Sequence, residues 1–209
     1  MTVPRVREPF RARVQLMLRT AILDAAWKRA AEQDWSAVHV AQIADDVGVS
    51  RQTVYNEFGS KDDLAAAVVR RDLERFVAGL VEHTQSAPDL ETAARDSMGW
   101  LLREARRHPI VKRTIEGARQ GEVHLLTPFL TVRADALIVP VRNALVRAYQ
   151  ARWPHEDRAV TVLTVELMVR MVLSQLTTPS DLPEDALIDR MVAMMLGSLR
   201  TEPVSPAQP

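Results

Sequence analysis

The sequence has no cysteine among its 209 residues, only seven glycines, and only 5% aromatic residues. Without cysteine, the chain forms no disulfide, no thiolate metal site and no cysteine nucleophile, and it fits a reducing compartment. The formal net charge is zero, because 27 basic residues balance 27 acidic ones. Attraction to a polyanion must therefore come from local clusters of positive charge.

Long apolar stretches are also missing. The longest apolar runs, residues 137–141 and 191–196, are far shorter than the roughly 20 residues that cross a bilayer. The first ten residues contain no apolar run ahead of their polar residues, so we expect no signal peptide. The share of hydrophobic residues is 47% and that of charged residues 26%, which is typical of a folded soluble protein. These features predict a cytoplasmic protein without a membrane partner.

Apolar residues recur at steps of three and four along most of the chain, and no alternating strand pattern competes with them. This periodicity predicts an all-α fold. The predicted helices cover about residues 13–33, 40–47, 51–57, 62–83, 90–107, 110–120, 139–152, 156–177 and 184–199. Residues 122–138 are either helix or loop, because Pro128 and Pro140 interrupt the pattern. The proline-rich tail, residues 201–209, is predicted to be disordered.

The segment from Val40 to Phe58 has the spacing of two short helices that cross at a tight turn. Gly48 can end the first helix in the left-handed conformation, and Ser50 can cap the second. The second helix then presents donor-rich side chains that can contact bases or phosphates. These side chains are Arg51, Gln52, Thr53, Tyr55 and Asn56. A helix pair of this kind also occurs in proteins that never bind DNA, so the context matters.

Positive charge is concentrated at the start of the chain. The first 19 residues contain five arginines and one glutamate, a net charge of +4: Arg5, Arg7, Arg11, Arg13 and Arg19 against Glu8. A flexible arm of this kind, beside a helix-turn-helix, can enter the minor groove of DNA. The alternative is a solvated, disordered terminus.

Several motifs together resemble the DNA-binding half of TetR-family transcriptional regulators, over roughly residues 19–64. The motifs are Ile43-Ala44, Gly48-Val49-Ser50, Thr53-Val54-Tyr55, Phe58 and Lys61-Asp62-Asp63-Leu64. The resemblance implies an all-α homodimer with a three-helix DNA-binding head. It also implies a larger helical body that binds a small effector and dimerises through its last two long helices. Most members of the family repress transcription and release their operator when the effector binds.

The resemblance implies domains at 1–63 (arm and DNA-binding head) and 64–200 (effector binding and dimerisation). The family's DNA contacts fall here on Arg51, Gln52, Thr53, Tyr55 and Lys61. The full candidate DNA-binding set adds further residues of the arm and of the two short helices: Arg5, Arg7, Arg11, Arg13, His39, Ser50 and Asn56. Three positions depart from the family pattern. Asp34 replaces a common glycine. His39 stands where a threonine commonly caps, and Glu57 stands where a histidine or tyrosine usually touches phosphate. Because a carboxylate repels phosphate, we expect Glu57 to face Arg51 or solvent.

The body is rich in methionine and other apolar residues, which favours a mainly apolar effector cavity. The candidate ligand-binding residues are Met98, Trp100, Leu101, Ile115, Phe129, Leu130, Met168 and Met171. The alternative is that these residues form only the core or a dimer contact. Glu166 and Arg170 are four residues apart, so an ion pair within their helix is expected, with a dimer bridge or a ligand contact as alternatives. We expect the homodimer contact at the helices near 156–177 and 184–199.

Catalytic signatures are missing from the sequence. The five histidines are scattered without metal-ligand spacing, and there is no glycine-rich phosphate loop and no G-x-S-x-G motif. We therefore expect no enzyme activity, no metal and no cofactor, with surface or capping roles for the histidines. The sequence predicts a ligand-responsive regulator that binds double-stranded DNA, most simply a repressor released by a small apolar effector. The rival interpretation is a helical ligand-binding or scaffold dimer that does not bind DNA.

Overall fold

The computed structural model describes residues 10–122 and 124–200, with side chains to residue 197. The described residues form helices and no strand, which confirms the all-α prediction. The helices are α1 (Phe10–Glu32), α2 (Val40–Val47), α3 (Arg51–Phe58), α4 (Lys61–Ser86), α5 (Leu90–Arg107), α6 (Pro109–Arg119), α7 (Thr127–Leu130), α8 (Asp135–Arg152), α9 (Arg158–Thr177) and α10 (Glu184–Arg200). Most predicted boundaries agree with these within three residues. The predicted tail, residues 201–209, lies outside the described residues.

Helices α1 to α3 pack around a small apolar core. Ile22 of α1, Ile43 of α2 and Val54 of α3 meet there, each at most 1% exposed. Leu64, in the first turn of α4, completes the core. We call this unit, from α1 to the first turns of α4, the head.

The turn between α2 and α3 follows from two residues. Gly48 has φ = 76°, a conformation that glycine adopts without the steric penalty of a Cβ, and it ends α2. Ser50 then caps α3, because its hydroxyl accepts a hydrogen bond from the backbone N–H of Thr53 at 3.0 Å. Ser60 caps α4 in the same way through Asp63. The turn therefore fixes where α3 begins and which of its faces points outward.

The remaining helices build a larger body around a second core. Leu80, Met98, Leu102, Leu145 and Met168 are each at most 1% exposed and belong to this core. Helix α4 contributes to both cores, with its first half in the head and its second half in the body. The head and the body are therefore joined by one continuous helix.

The ambiguous segment, residues 122–138, contains both helix and loop. A single turn, α7, covers 127–130, and α8 begins at Asp135 rather than near 139. Pro140 lies inside α8, where it removes one backbone hydrogen bond. Ile138, Val141 and Leu145 are buried on either side of it. Their burial outweighs the loss of that bond, so the helix continues through the proline.

Among the described residues, α9 is the one helix whose length and mean hydropathy would also suit a membrane span. It packs against α5, α8 and α10, and Val165, Met168 and Val172 are buried in the body core. A helix at the centre of a bundle has the same apolar composition. Its packing accounts for that composition here.

Candidate nucleic-acid interface and effector cavity

Helix α3 presents the predicted recognition side chains on its outer face. Val54 and Phe58 are buried and fix the helix to the head, while Arg51, Gln52, Tyr55 and Asn56 are exposed. The side-chain amide of Gln52 donates to Oδ1 of Asn56 at 2.8 Å. Because these two amides hold each other, they form one surface with donors and acceptors for base edges.

Ser50 and Thr53 have a structural role in addition to their predicted DNA contact. Their hydroxyl oxygens lie 2.9 Å apart, and both belong to the cap of α3. His39 is exposed at the beginning of α2, and its backbone N–H donates to Oε1 of Gln42 at 2.9 Å. All three residues therefore lie at helix N-termini, whose partial positive charge favours anions such as phosphate.

Lys61 is held at the edge of the head. Its Nζ donates to the backbone oxygen of Ser36 at 3.3 Å and lies 5.5 Å from the centroid of the Trp35 ring. Burial lowers the pKa of Lys61, against the opposing effect of Asp62 and Asp34. The ammonium group is thus positioned by its surroundings before any DNA is bound.

The arginine-rich arm is only partly as predicted. Helix α1 begins at Phe10, so Arg11 and Arg13 are helical and exposed, whereas the sequence predicted the helix from about residue 13 and assigned the arginines up to Arg19 to the arm. Arg11 lies with Thr53 and Asn56 along one shallow groove between α1 and α3. The structure therefore brings one arm residue next to the recognition helix. Arg5 and Arg7 lie outside the described residues.

The expectation for Glu57 is wrong. Its Oε1 lies 2.8 Å from Nη1 of Arg19, and its Oε2 accepts from Gln15 at 3.3 Å. The Glu57 side chain is only 12% exposed, so it faces neither Arg51 nor solvent. The Arg19 guanidinium also lies over the Phe58 ring, 4.4 Å from its centroid. Arg19 thereby neutralises the charge of Glu57 beside α3. The guanidinium charge of Arg19 is in turn paired within the contact between α1 and α3.

The body contains an apolar cavity of about 100 Å³. Eighteen residues line it, from α4 to α9, and sixteen of them are apolar. Among the predicted ligand-binding residues, Leu101 and Leu130 are in this lining. The cavity is thus suited to a hydrocarbon group rather than to a polar one.

The other predicted ligand residues lie outside the cavity lining. Met98 and Met168 are fully buried in the body core, and Met171 packs against the same core. Trp100 packs against Phe76 edge to face and against His83 at a tilt, with ring centroids 6.1 and 5.4 Å away. Ile115 packs between the two cores, and Phe129 lies beneath Arg133. A helical stripe of apolar residues does not reveal which of them face a void, so sequence periodicity alone does not separate the two groups.

Two polar residues, Asp72 and His108, interrupt the apolar lining. Oδ2 of Asp72 accepts a hydrogen bond from Nε1 of Trp27 at 2.7 Å and lies 3.2 Å from Nε2 of His108. Trp27 belongs to α1, so this contact joins the cavity wall to the head. The His108 ring also packs against the rings of Trp27 and Phe76. The sequence carries one signal for this contact, an aspartate within the apolar face of α4, and the predicted site residues do not include it.

A second contact between head and cavity wall involves His124. Its Nε2 lies 3.0 Å from Oε2 of Glu122, and its Nδ1 lies 3.6 Å from Oδ1 of Asp34 in the α1–α2 loop. The next two residues, Leu125 and Leu126, line the cavity. His124 is thus a largely buried partner of carboxylates, which corrects its expected surface or capping role. His108 stands at the capping position between α5 and α6, as expected, and its side chain is in addition a largely buried partner of Asp72.

Hydrogen bonds set the charge of the α1–α2 loop. Burial raises the pKa of Asp34. Hydrogen bonds from the backbone and hydroxyl of Ser36, together with the nearby His124, lower this pKa by more than burial raises it, so the net shift is downward.

Among residues 10–122 and 124–200, no group of three or more histidine and acidic side chains has an arrangement that would hold a metal ion.

Two family models together match most of the described fold. The model described as "Bacterial regulatory proteins, tetR family" matches residues 22–68, which include the complete helix-turn-helix. The model described as "Bacterial Tetracyclin repressor, C-terminal domain" matches residues 89–196, about half of the chain. The chain belongs to the TetR family. The resemblance seen in the sequence is therefore confirmed, and the chain is a helix-turn-helix transcriptional regulator.

The family also includes relatives of similar length and fold. The HTH-type transcriptional regulator AlkX of Mycobacterium tuberculosis is 27% identical over 192 residues, which are 89% of this chain and 87% of that protein. The crystal structure of the TetR-family repressor AlkX from Dietzia sp. strain DQ12-45-1b, implicated in biodegradation of n-alkanes, is 26% identical. It matches with a TM-score of 0.69 over 86% of this chain and 96% of its own. FadR from Bacillus subtilis, solved with stearoyl-CoA, shares the fold at 17% identity, with a TM-score of 0.54 over 86% and 98% of the two chains.

In this TetR-family chain, the last two helices carry large exposed apolar residues. Leu163 and Leu167 of α9 are 61% and 48% exposed, and Met194 of α10 is 67% exposed. Beside them, the predicted pair of Glu166 and Arg170 is present at 2.8 Å, and Arg142 of α8 lies 2.7 Å from the same carboxylate. Hydrogen bonds from Arg142 and Arg170 lower the pKa of Glu166. The carboxylate is therefore fully engaged within one chain.

Proposed function

We propose that this protein binds a pseudo-palindromic operator as a homodimer and releases it when an apolar effector enters the cavity of the body. The observation that carries the proposal is the cavity itself: its lining is almost entirely apolar, and two of its wall segments contact the head. Repression is the simplest function of such an arrangement, because effector binding can move the DNA-binding helices. Residues 1–63 then act as the DNA-binding unit and 64–200 as the effector and dimerisation unit.

The DNA contacts are assigned from the exposed surface of the head. We assign Arg51, Gln52 and Asn56 of α3, which are exposed, to base contacts in the major groove, where their donors and acceptors can distinguish base pairs. We assign Tyr55 and Lys61 to phosphate contacts on either side. Arg11 and Arg13 extend the positive surface along α1, and the remaining arm residues, Arg5 and Arg7, are assigned to the adjacent minor groove.

The dimer contact is assigned to α9 and α10. Three large apolar side chains exposed on two adjacent helices of one bundle need a partner surface, and a second copy related by twofold symmetry supplies one. The two recognition helices of such a dimer would enter successive major grooves about 34–36 Å apart.

The effector is assigned as a hydrocarbon-rich small molecule. The relative from Dietzia is implicated in biodegradation of n-alkanes, and the cavity here has the same apolar character that an alkyl chain requires. A dry cavity of about 150 Å³ is large enough to hold benzene. A cavity of about 100 Å³ is smaller, so a longer alkyl chain fits only when the wall moves outward.

Wall movement would reach the head through the two contacts described above. Displacement of α6 changes the position of His108 and with it the hydrogen bond between Asp72 and Trp27. Displacement of residues 124–126 changes the contact of His124 with Asp34, beside the loop that holds Lys61. To change the ratio of the released form to the DNA-binding form from 1:99 to 99:1, an effector must bind the released form more favourably by about 5.5 kcal/mol.

We infer a cytoplasmic location, where a DNA-binding regulator meets its operator. We also assign no catalytic role, because the buried carboxylate of Asp72 and the partly exposed carboxylate of Asp34 are engaged in contacts between the head and the body.

Selection of bound fragments from random or genomic DNA tests the function and yields the operator together. We expect enrichment of one inverted repeat, and an affinity for it that falls steeply between 50 and 200 mM salt, because binding releases counterions from DNA. Adding n-octane should then release the fragment. If the pure protein enriches no sequence at low salt, the rival function, a helical scaffold or ligand-binding dimer without DNA, replaces this one.

A further inference from the structure

Two residues that line the cavity, one on α4 and one at the beginning of α6, each have a buried side-chain atom without a hydrogen-bond partner, and both atoms are covered by the cavity wall. The two atoms are Oδ1 of Asp72 and Nδ1 of His108. Asp72 is 8% exposed and the His108 side chain is 15% exposed, and both residues line the cavity. Buried polar atoms are almost always paired, because leaving one unpaired loses the hydrogen bonds that it made with water. Two such atoms on neighbouring wall residues point to a partner that the protein itself does not supply.

The chemistry of the two atoms defines that partner. Oδ1 of Asp72 is a carboxylate oxygen and therefore accepts hydrogen bonds. His108 directs Nε2 toward the carboxylate at 3.2 Å, so a neutral ring donates from Nε2 and keeps a lone pair on Nδ1. Both unpaired atoms are then acceptors. The nearest cation, Nη1 of Arg75, lies 3.6 Å from Oδ1, and its side chain is 66% exposed to solvent.

We propose that the effector is an apolar chain that ends in a hydrogen-bond donor, of the primary-alcohol class, rather than a carboxylic acid. This inference rests on the proposed function, because it names the head group of a ligand in the same cavity. When the wall moves outward to admit the chain, as proposed above, a hydroxyl can donate to Oδ1 of Asp72 or to Nδ1 of His108 while the chain lies against the apolar lining. A carboxylate brings only acceptors and a negative charge to a corner that already holds Asp72, and an alkane leaves both acceptors unpaired.

Three eight-carbon probes of matched size test this head group at pH 7.5, by calorimetric titration of the full chain. We expect 1-octanol to bind at least about tenfold more tightly than its isomer methyl heptyl ether, which has an acceptor and no donor. We expect octanoate to bind more weakly than both. If the ether or octanoate binds as tightly as 1-octanol, the head-group assignment is refuted while an apolar effector stands. If none of the three probes binds, both proposals fail.

The variant Asp72→Asn tests whether Asp72 is the residue that distinguishes the alcohol from the carboxylate. It removes the charge and one acceptor, so the preference for 1-octanol over octanoate should shrink about tenfold or more. The control is Glu74→Gln, an equivalent change on the exposed face of the same helix, which should leave all three affinities unchanged. An undiminished preference in Asp72→Asn would refute the role of Asp72. The comparison of probes on the unaltered chain remains decisive if that variant does not fold.

Discussion

Replacing Trp27 by phenylalanine should destabilise the protein by a predictable amount. The change keeps an aromatic ring but removes the hydrogen bond from Nε1 to Oδ2 of Asp72, which is 2.7 Å long. A hydrogen bond to a charged group contributes about 1.5–3 kcal/mol. Asp72 is only 8% exposed, so water does not easily replace the lost donor. We expect a free energy of unfolding lower by about 1.5–3 kcal/mol, or a Tm lower by about 3–12 °C for a chain of this length.

The head offers a matched control in Trp35. This indole is also buried, but its Nε1 has no hydrogen-bond partner. Trp35→Phe therefore removes the same atoms without breaking a hydrogen bond, and it should cost at least about 1.5 kcal/mol less than Trp27→Phe. Urea unfolding followed by circular dichroism measures both variants. Equal destabilisation of the two would refute the energetic importance of the Asp72 contact.

The same variant examines the link between cavity and head. If the Trp27–Asp72 contact transmits effector binding, Trp27→Phe should keep operator affinity within a few-fold but weaken the release caused by n-octane. Fluorescence anisotropy of a labelled operator, with and without n-octane, measures this coupling as a ratio of two affinities. A ratio equal to that of the unaltered protein would show that the contact stabilises the fold without transmitting the signal.

Three further changes test the head and the dimer. Arg51→Ala and Tyr55→Phe should weaken operator binding with little change in Tm, because both side chains are exposed, and wild-type affinity in both would contradict the assignment of α3. Ile43→Ala should lower the free energy of unfolding by about 2–5 kcal/mol, because Ile43 is fully buried; urea unfolding measures this, and a loss below about 1 kcal/mol would argue against the described head core. Leu167→Glu should give a monomer in analytical ultracentrifugation, whereas Val132→Glu, at an 89% exposed site away from α9 and α10, should leave a dimer; a dimeric Leu167→Glu would move the interface elsewhere.

Local signals in the sequence were sufficient for the helices and the turn. Gly48 and Ser50 specify the α2–α3 turn through backbone conformation and capping, and both effects act within a few residues. The start of α8 was missed for the opposite reason. Pro140 is a helix breaker in local terms, and only burial against distant helices keeps α8 continuous around it.

Contacts between distant residues explain what the sequence did not predict in the site. Glu57 lies 38 positions from Arg19, and Asp72 lies 45 positions from Trp27 and 36 from His108. The type of a residue indicates which hydrogen bonds and ion pairs its side chain can form. Which residue it then contacts depends on how α1 packs on α3 and α4. The same holds for the cavity: apolar periodicity predicts which helix faces are buried, and not which buried residues border an empty space.

The position of Asp72 within α4 argues that its charge serves function more than stability. The core face of α4 follows steps of four residues, from Leu64 and Val68 through Asp72 to Phe76 and Leu80. Every other member of that series is apolar, and an apolar residue at such a site is often as stable as a buried charge, or more so. The buried carboxylate lies in the cavity wall where α1, α4 and the beginning of α6 meet, and its burial lowers stability there. A ligand that engages Asp72 there acts on the head and the body at the same time, which an apolar side chain at position 72 would not allow.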